Sequence, residues 1–377
     1  RIKFDMKKTT KKLLAAGLAA FSLYSGVGMM DTSISEAKVQ YDVFDFEAHR
    51  GGRDARPENT LYSYAYAMEM GATSIECDMQ LTKDGQIVMS HNPILNPDIT
   101  RDKDGNYVPK NKYDIRTMTV DQLKQFDVGV MNPEIGEYYD LHGRTQIMHD
   151  AQLPTLDEVM QLIQSYGDKK IVLNIETKSY PDPNTMEYKN NADPKKFVEV
   201  FNDTVKKYGM EDRVVLQSFD WRTLIEMKKL NPNISTSALW QASSSWESYG
   251  NQKSPWLGGL DIKDYDNDPV KAAHAIGVDI VSPYYMDVTK EMVDEAHSLG
   301  MKIVPWTVND EKDMNELLDM GVDGIISDRA WILKDVLQKR NITLHEPVVN
   351  ENSPYHTGTG HNDVKPIKAE NGRDAAY

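Results

Sequence analysis

The run TSIECDMQLTKDGQIVMS, residues 73–90, decides how the chain is divided into strands. Its first part, 73–80, alternates apolar and polar residues, which predicts a strand. A second apolar run at 86–90 predicts another strand, and Asp84-Gly85 between the two is typical of a tight turn. A parallel crossover needs about a dozen residues or more, so we expect the second strand to fold back antiparallel on the first.

Outward from this run, short apolar segments alternate with helical patterns from about residue 40 to 340. One helix is well signalled, with Asp193 as N-cap, Pro194 at the first position and Gly209 after the end. Apart from the antiparallel run, eight parallel strands remain, and this favours a (β/α)8 TIM barrel over the alternative, an open doubly wound sheet. The eight lie in YDVFDFEA, TSIECDMQ, IVLNIET, RVVLQS, ISTSALW, VDIVS, KIVPWTV and DGIIS.

Residues 96–153 interrupt this alternation. They are rich in Asp, Asn, Tyr and Gly, and they show no strong periodicity. The next helix is signalled only at Thr155, where Glu158 completes a capping box. Because plain loops of this length are uncommon in compact domains, the segment predicts an inserted subdomain near the barrel mouth.

The two ends of the chain differ from the barrel segment. Residues 1–37 combine a basic start, an apolar run and small residues up to Ala37, which is the layout of a cleaved secretory signal peptide. The alternative is an uncleaved membrane anchor, although the apolar run is near the lower limit for spanning. Cleavage predicts a secreted or periplasmic protein without stable membrane insertion. Residues 346–377 are polar and lack an apolar period, which predicts a disordered or loosely attached tail.

The composition excludes several classes of function. The 377 residues carry a net charge of −15, so no nucleic-acid partner is expected. The single cysteine, Cys77, excludes an internal disulfide and a Cys-based zinc cluster. The sequence contains no motif of serine hydrolases, zincins, P-loop proteins or dinucleotide-binding proteins. The oligomeric state is not predicted.

Acidic residues alternate along two of the predicted strands. Glu76 and Asp78 share one face of the second strand, and Glu176 repeats the pattern on the next one. In a barrel these side chains point into the interior or its mouth, where like charges are costly unless they are neutralised. An oxygen-only set suits Mg²⁺ or Ca²⁺ rather than zinc. The alternative is that Lys178 and Arg50 pair with the carboxylates and that no metal binds.

Two histidines follow strands of the predicted barrel. His49 ends the first strand and His91 ends the antiparallel return, so both lie at the face where barrel active sites are built. Two histidines near a metal-held phosphate can act as general base and general acid near neutral pH. Arg50, beside His49, supplies a bidentate donor for phosphoryl oxygens. The pattern therefore favours catalysis over a purely structural role for the two histidines.

Short motifs in a fixed order resemble a known family. They are HRG at 49–51, PENT at 57–60, ECD at 76–78, LTKDGQIV at 81–88, His91, IETK at 175–178, QSFD at 217–220, PWTVN at 305–309 and GVDGIISD at 321–328. Over about residues 43–335 the chain resembles the glycerophosphodiester phosphodiesterase family, and its N-terminal segment fits the exported, periplasmic-type branch.

The resemblance implies metal-dependent hydrolysis of a small glycerophosphodiester to glycerol 3-phosphate and an alcohol. It implies His49 and His91 as the acid/base pair, and Glu76, Asp78 and Glu176 as ligands of a divalent cation. Ca²⁺ is favoured over Mg²⁺ for an exported protein. The attacking oxygen is either a water or the 2-hydroxyl of the glycerol.

The resemblance also implies residues that contact the substrate. Arg50 and Lys178 are expected to bind the phosphate or glycerol, Glu58 to support the mouth, and Trp306 to form a wall of the pocket. Asn92 stands where the family usually has Asp, which keeps the shape of that group but loses its charge. The glycerol is the fixed part of the substrate, so similar rates are expected for glycerophosphocholine and glycerophosphoethanolamine.

Two other functions are compatible with such a barrel. One is a phospholipase-type phosphodiesterase with similar two-histidine chemistry, which an apolar rim around the mouth would favour. The other is a non-catalytic secreted binding protein, which the loss of a histidine or an acidic ligand would favour. The sequence retains all of those residues.

Overall fold

A computed structural model of the chain describes residues 38–242 and 253–365. The predicted signal peptide at 1–37 and the last part of the predicted tail, 366–377, lie outside the described residues. Within the described part, none of the helices combines the length and the apolar character that a membrane crossing requires.

A parallel barrel forms the centre of the molecule. In the described residues its strands are β1 (Asp45–Ala48), β2 (Ser74–Leu81), β3 (Ile87–Met89), β4 (Val172–Thr177), β5 (Val214–Ser218), β6 (Ser235–Trp240), β7 (Ile280–Pro283), β8 (Lys302–Ile303) and β9 (Gly324–Ser327). The strand order is β8-β7-β6-β5-β4-β2-β1-β9, and all of these neighbours are parallel. Backbone hydrogen bonds then join the β8 and β9 segments, from Val308 N–H to Ile326 O and from Ile326 N–H to Pro305 O. The predicted (β/α)8 barrel is confirmed.

The antiparallel return predicted from the opening run is also confirmed. β3 pairs antiparallel with β2, with Met79 opposite Met89 and Leu81 opposite Ile87. Gly85 in the connecting turn has a φ of +72°, which favours glycine over other residues. This hairpin carries the chain back to the mouth of the barrel, so that His91 lies near the carboxyl ends of the parallel strands.

Helices follow the parallel strands and cover the barrel. Those of at least eight residues are α1 (Leu61–Met70), α2 (Leu156–Tyr166), α3 (Pro194–Lys207), α4 (Trp221–Leu230), α5 (Pro269–Ile276), α6 (Lys290–Ser298), α7 (Glu311–Met320) and α8 (Ala330–Lys339). The side chain of Asp193 accepts from Lys196 N–H at the start of α3, which satisfies an otherwise unpaired backbone donor. Thr155 caps α2 in the same way, accepting from Glu158 N–H.

The alternation along β2 determines what lies on each side of the barrel wall. Ile75, Cys77 and Met79 are buried in the large apolar core between strands and helices. The intervening Glu76 and Asp78 therefore point into the barrel. The interior has an apolar floor, formed by Val172, Val215, Ile280, Val304 and Ile326, so the acidic side chains lie above an apolar layer.

The segment between β3 and α2 forms a small unit beside the mouth. It contains the short helices Val120–Leu123 and Gly136–Tyr138. Its own apolar cluster includes Val108, Ile115 and Phe126, and it also packs against Val88 of β3. The rest of the cluster is Leu95, Val120, Leu123, Val128 and Leu153. A second core of this size accounts for a long segment without a regular strand–helix pattern.

The segment 346–365 differs from the prediction of a disordered or loosely attached tail. It lies along the barrel, where Val348 N–H donates to Met68 O of α1 and His356 Nδ1 lies 2.7 Å from Glu69 Oε1. The fully buried Arg56 donates to Thr357, Gly358 and Gly360. These contacts are polar and join residues far apart in the sequence. The sequence therefore did not predict that the tail is attached, because the tail has no apolar pattern.

Replacement of Arg56 by alanine is expected to lower the free energy of unfolding by at least about 2 kcal/mol, because it leaves several carbonyl oxygens without a donor. Urea unfolding measures this difference. Arg340→Ala is the matched control, since Arg340 binds Asp319 and Asn315 at the surface, and a loss of about 0–1 kcal/mol is expected there. Equal losses in the two variants would show that the tail is not anchored through Arg56.

Candidate active site

Three carboxylates converge at the barrel mouth. The parallel register places Asp78 of β2 beside Glu176 of β4, and Glu76 lies two residues earlier on β2. The three side chains are buried, and their ligand atoms lie within 4.8 Å of one another. This is the predicted acidic set, and two adjacent strands with a period of two are sufficient to assemble it.

The electrostatics of this group fit a divalent cation. Burial raises the pKa of Glu76 well above its usual value, and the charges of Asp78 and Glu176 raise it further. Burial also raises the pKa of Glu176, to about 7. Asp78 Oδ1 is buried and has no hydrogen-bond partner among the described residues. A bound cation would neutralise the repulsion and use the unpaired oxygen.

The alternative to a bound metal, in which Lys178 and Arg50 pair with the carboxylates, is only partly realised in the structure. Lys178 Nζ lies 3.1 Å from Glu176 Oε1, and Arg50 Nε lies 3.7 Å from Asp78 Oδ2. Burial raises the pKa of Asp78, but the charges of His91, Lys178 and Arg50 outweigh it and hold that pKa below its usual value. Glu76 makes no ion pair with Arg50 or Lys178 within 4 Å, so the negative charge of the cluster is not fully compensated.

Two amide side chains orient the carboxylates, and sequence reasoning missed both. Asn59 Nδ2 donates to Asp78 Oδ2 at 2.9 Å, while Asn59 Oδ1 accepts from Tyr64 and from Asp78 N–H. Gln217 Nε2 donates to Glu76 Oε1 at 2.7 Å. Asn59 has a φ of +51°, a conformation that asparagine tolerates better than most residues. The asparagine of the PENT motif could therefore have indicated a special backbone position near the site from the sequence.

His49 is held by a buried carboxylate. Its Nδ1–H donates to Asp328 Oδ1 at 2.5 Å, which leaves Nε2 directed to the site, 3.7 Å from Glu76 Oε2. Burial lowers the pKa of His49, and the charge of Asp328 opposes that shift. Asp328 itself accepts from Arg53 Nε at 2.6 Å and from Asn309 Nδ2 at 2.8 Å. Asp328 ends the GVDGIISD motif, and the sequence of that motif does not by itself indicate this contact with His49.

The backbone after His49 folds into a tight left-handed turn. Arg50 has a φ of +51°, and its N–H donates to Glu76 Oε2 at 2.9 Å. Gly51 has a φ of +84°, and a Cβ there would lie 2.3 Å from Ser63 Oγ. Glycine is therefore required at this position. The turn lets one short segment present His49, the backbone N–H of Arg50 and its guanidinium to the same site.

A residue of the inserted segment completes the surroundings of Arg50. Arg50 Nη1 donates to Glu58 Oε1 at 3.2 Å, and the hydroxyl of Tyr138 donates to Glu58 Oε2. Burial raises the pKa of Glu58, but Arg50 and Arg53 outweigh it and lower that pKa. Arg50 Nε is buried and has no hydrogen-bond partner among the described residues. The guanidinium is thus fixed in place with a donor still available.

His91 lines the same cavity as His49 and lies after β3, whereas His49 follows β1. Its Nδ1–H donates to Asn92 Oδ1 at 2.7 Å, so Nε2 is the free nitrogen. Burial lowers the pKa of His91 well below its usual value, and Arg50 and Lys178 add to the shift. Asn92 therefore orients the ring as a carboxylate would, but without a negative charge.

One small cavity, of about 40 Å³, collects most of the predicted site residues. Trp306 forms part of its wall, with Nε1 donating to Ser282 O at 2.9 Å. Lys178 and Asp78 adjoin it through their ion pairs, and Glu58 borders a neighbouring cavity that shares His91. The lining residues are His49, Arg50, Glu76, His91, Glu176, Gln217, Phe219, Leu239, Trp306 and Ile326.

A second group of acidic and histidine side chains lies behind His49. Asp54, His142 and Asp328 are buried within 4.8 Å of one another. Arg329 Nε donates to Asp54 Oδ2 at 2.8 Å, and Arg53 binds Asp328, so the two carboxylates are already neutralised. His142 Nδ1 lies 2.6 Å from Asp54 Oδ1 and comes from the inserted segment. This group attaches the insertion to the barrel mouth.

Comparisons with known proteins identify the family of the chain. The family model described as "Glycerophosphoryl diester phosphodiesterase family" matches residues 49–331. A glycerophosphodiester phosphodiesterase of Caldanaerobacter subterraneus subsp. tengcongensis is 30% identical, and the match covers 78% of this chain and 97% of that protein.

Solved structures show the same architecture. A Silicibacter pomeroyi protein assigned as a glycerophosphoryl diester phosphodiesterase matches with a TM-score of 0.69 and 29% identity, over 82% of this chain and 97% of that one. An Oleispira antarctica phosphodiesterase, solved in complex with the product sn-glycerol-3-phosphate, matches with a TM-score of 0.57 and 22% identity, over 78% and 97% of the two chains. The second likeness is evidence for the fold. With its barrel, its acidic cluster and this family match over most of its length, the chain belongs to the glycerophosphoryl diester phosphodiesterase family, and it is a hydrolase of phosphoric diesters.

Proposed function

We propose that the protein hydrolyses glycerophosphodiesters to glycerol 3-phosphate and an alcohol, by general acid–base catalysis with His49 and His91. The observation that carries the proposal is that both imidazoles line one cavity with Glu76 and Glu176 of the three-carboxylate cluster. Each ring has a hydrogen bond at Nδ1, and Nε2 has none among the described residues. The reaction class follows from the family, and the name of the Caldanaerobacter relative supports the glycerol part of the substrate.

The phosphate is expected to lie between the two histidines. A divalent cation on Glu76, Asp78 and Glu176 would neutralise charge on the phosphoryl oxygens. Arg50 Nε, which has no hydrogen-bond partner among the described residues and lies 3.7 Å from Asp78 Oδ2, is expected to donate to the same group. Lys178 is held 3.1 Å from Glu176 and is available to a second phosphoryl oxygen. Buried, fixed donors of this kind stabilise charge that develops in the transition state.

The partners of the two histidines suggest their roles. His49 donates to the carboxylate of Asp328, which stabilises the imidazolium that forms when His49 takes a proton. His91 donates to the neutral amide of Asn92, which gives no such stabilisation and favours proton release. We therefore assign His49 as the base and His91 as the acid. A new P–O bond forms as His49 removes the proton of the attacking oxygen, and the P–O bond to the alcohol breaks as His91 protonates it.

The attacking oxygen is a water or the 2-hydroxyl of the glycerol, and the two routes differ in their products. Attack by the 2-hydroxyl forms a cyclic phosphate that a water then opens in a second step. Direct attack by water yields glycerol 3-phosphate at once. Detection of a cyclic phosphate by ³¹P NMR at early times distinguishes the two routes.

The proposal includes export and a preference for Ca²⁺. The signal-peptide pattern at 1–37 supports export, and an extracytoplasmic location favours Ca²⁺ over Mg²⁺ as the ion available there. Three carboxylates in a site bordered by the Gln217 amide also suit the larger, more flexible coordination of Ca²⁺.

A phospholipase-type activity is the second candidate, and one observation favours it. The mouth face carries exposed apolar side chains, since Met186 and Tyr188 follow β4 and Met286 follows β7. Such side chains could contact a lipid surface. A non-catalytic binding protein has no comparable support, because both histidines line one cavity with Glu76 and Glu176, and Asp78 adjoins these two carboxylates.

Calcium chloride is expected to raise the melting temperature of the wild-type protein, because an ion that binds only the folded state at about a hundredfold over its Kd adds about 2.7 kcal/mol. Differential scanning calorimetry measures the shift, with magnesium chloride for comparison. Glu76→Gln and Glu176→Gln should lose this calcium-induced shift. Without a cation, their melting temperatures should not fall below that of the cation-free wild type, since each substitution removes a charge that repels its neighbours. The control Glu69→Gln removes a buried carboxylate outside the cluster and should keep the shift. Identical melting of the wild type in calcium and in EDTA would overturn the cation site.

Glycerol 3-phosphate should be released from glycerophosphocholine in the presence of Ca²⁺, and excess EDTA should abolish the release because the carboxylates then repel the phosphate. A coupled glycerol 3-phosphate dehydrogenase assay follows the product. Intact phosphatidylcholine in micelles is the parallel substrate. Full activity in EDTA would contradict the proposal. Cleavage of the phosphatidyl lipid alone would also contradict it and would support the phospholipase-type activity instead.

His49→Ala and His91→Ala should each lower turnover by at least about a hundredfold, while the calcium-induced melting shift stays. A nitrophenyl ester of glycerol phosphate has a leaving group that needs no proton. It should restore much of the turnover of the variant that lost the acid, His91→Ala, but not that of His49→Ala. His274→Ala, an exposed histidine on α5, serves as the control. Rescue of His49→Ala instead would reverse the two roles, and near-normal turnover in both variants would exclude this pair.

A further inference from the structure

An aromatic cavity opens beside the catalytic one. It has a volume of about 190 Å³, and it shares two of its lining residues, Glu176 and Phe219, with the cavity that holds the histidines. Tyr180, Phe219 and Trp256 provide its aromatic surface. None of these three residues has a role in the proton transfers or in the cation site. A group attached to a phosphate between the histidines would reach this cavity directly.

The three rings are held in place by separate elements. Tyr180 follows β4, Phe219 follows β5, and Trp256 lies in the short turn Pro255–Leu257. The Tyr180 and Trp256 rings are nearly perpendicular, with centroids 6.4 Å apart. Phe219 is perpendicular to Trp306, at 5.4 Å. Rings that meet edge to face leave some of their faces open to a third group.

Backbone anchors limit the motion of two of these rings. Tyr180 N–H donates to Asn191 Oδ1 at 2.9 Å, and Trp256 N–H donates to Ser254 Oγ at 3.3 Å. The Arg116 guanidinium also lies 5.8 Å from the centroid of the Tyr180 ring. The segments that carry these two rings are therefore held by hydrogen bonds before a ligand binds, which lowers the cost of ordering them.

The polar groups of the cavity are largely committed elsewhere. Lys178 Nζ lies 3.1 Å from Glu176 Oε1 and 3.9 Å from Asp78 Oδ1, so its charge is directed to the carboxylates. Ser179 Oγ donates to Asp220 Oδ2 at 2.6 Å. Glu176 is the one carboxylate among the described residues of the lining, so a primary ammonium or a polyol would lose water from several N–H or O–H groups and regain hydrogen bonds for only part of them. A trimethylammonium has no N–H, and its charge is attracted by aromatic faces.

We propose that this cavity binds the alcohol part of the substrate and selects a quaternary ammonium alcohol, so that glycerophosphocholine is the preferred substrate. The inference rests on the proposed phosphodiesterase function and adds a specificity to it. It departs from the expectation of similar rates for glycerophosphocholine and glycerophosphoethanolamine. The aromatic cavity is the larger of the two, at about 190 Å³ against about 40 Å³ for the catalytic cavity, and it adjoins the catalytic cavity through Glu176 and Phe219.

The first measurement compares kcat/KM for glycerophosphocholine, glycerophosphoethanolamine and glycerophosphoglycerol. A cation–π site predicts at least about a fivefold preference for the choline ester. Trp256→Ala and Tyr180→Ala should each lower the ratio of the choline to the ethanolamine value by about threefold or more. Trp256→Phe should keep most of the ratio, because an aromatic face remains.

Tyr188→Ala is the matched control. It removes a tyrosine from the same loop as Tyr180, but its side chain is exposed and does not line the cavity. The ratio should stay at the wild-type value in this variant. Melting temperatures of all variants identify a general loss of folding, which would lower both kcat/KM values together and leave the ratio unchanged.

Inhibition by tetramethylammonium chloride gives a readout that does not depend on the choline ester. The ion should compete with glycerophosphoethanolamine in the wild type, while sodium chloride at equal ionic strength should not, and Trp256→Ala should raise its inhibition constant by about threefold or more. A ratio near one with no competition would overturn the cavity assignment alone, since glycerol 3-phosphate is still released. A wild-type ratio that the Trp256 and Tyr180 substitutions leave unchanged would also overturn it. Release from none of the three esters would instead overturn the phosphodiesterase function on which the inference rests.

Discussion

The burial of three carboxylates within 4.8 Å of one another is the constraint on which the rest of the site depends. Removed from water, such charges repel strongly and raise one another's pKa values. The barrel accepts them because β2 and β4 are held in register by their backbones, whatever the side chains prefer. The neighbouring side chains stabilise these charges. Asn59 and Gln217 donate hydrogen bonds to Asp78 and Glu76, and Lys178 partly neutralises Glu176. A divalent cation would neutralise the charge that these groups leave uncompensated.

The same negative charge organises the histidines and the arginines. Arg50 donates its backbone N–H to Glu76 and its side chain to Glu58, so one residue connects the carboxylate cluster to the inserted segment that holds Glu58. His49 lies between Glu76 and Asp328, and its tautomer is determined by the hydrogen bond to Asp328, since Glu76 is 3.7 Å from Nε2. Removal of charge at either side would therefore change the orientation of the ring as well as its basicity. The site behaves as one network, in which single substitutions should not be additive.

Sequence periodicity was sufficient for the barrel and for the parts of the site that lie on strands. Glu76, Asp78 and Glu176 follow from alternation, and His91 follows from recognising β3 as a return strand. Residues whose roles depend on contacts between distant segments could not be found in this way. Tyr138 meets Glu58 across the inserted segment, Asp328 meets His49 across the closure of the barrel, and Arg56 binds a tail about three hundred residues later. No local pattern encodes such contacts, because each partner is an ordinary polar residue in its own segment.

The distribution of roles over the fold follows from the differing rigidity of its parts. The carboxylates and the histidines proposed to transfer protons lie on strand ends and on the short turn after β1, where backbone hydrogen bonds fix them. Tyr180 and Phe219 lie instead on loops after β4 and β5, and Trp256 lies in a turn beyond β6. Loop side chains can be exchanged without disturbing the strand register that assembles the carboxylates. The alcohol specificity can therefore change in a barrel whose phosphate chemistry stays constant, so the choice of alcohol is expected to be a property of this chain's loops rather than of the fold it shares with its relatives.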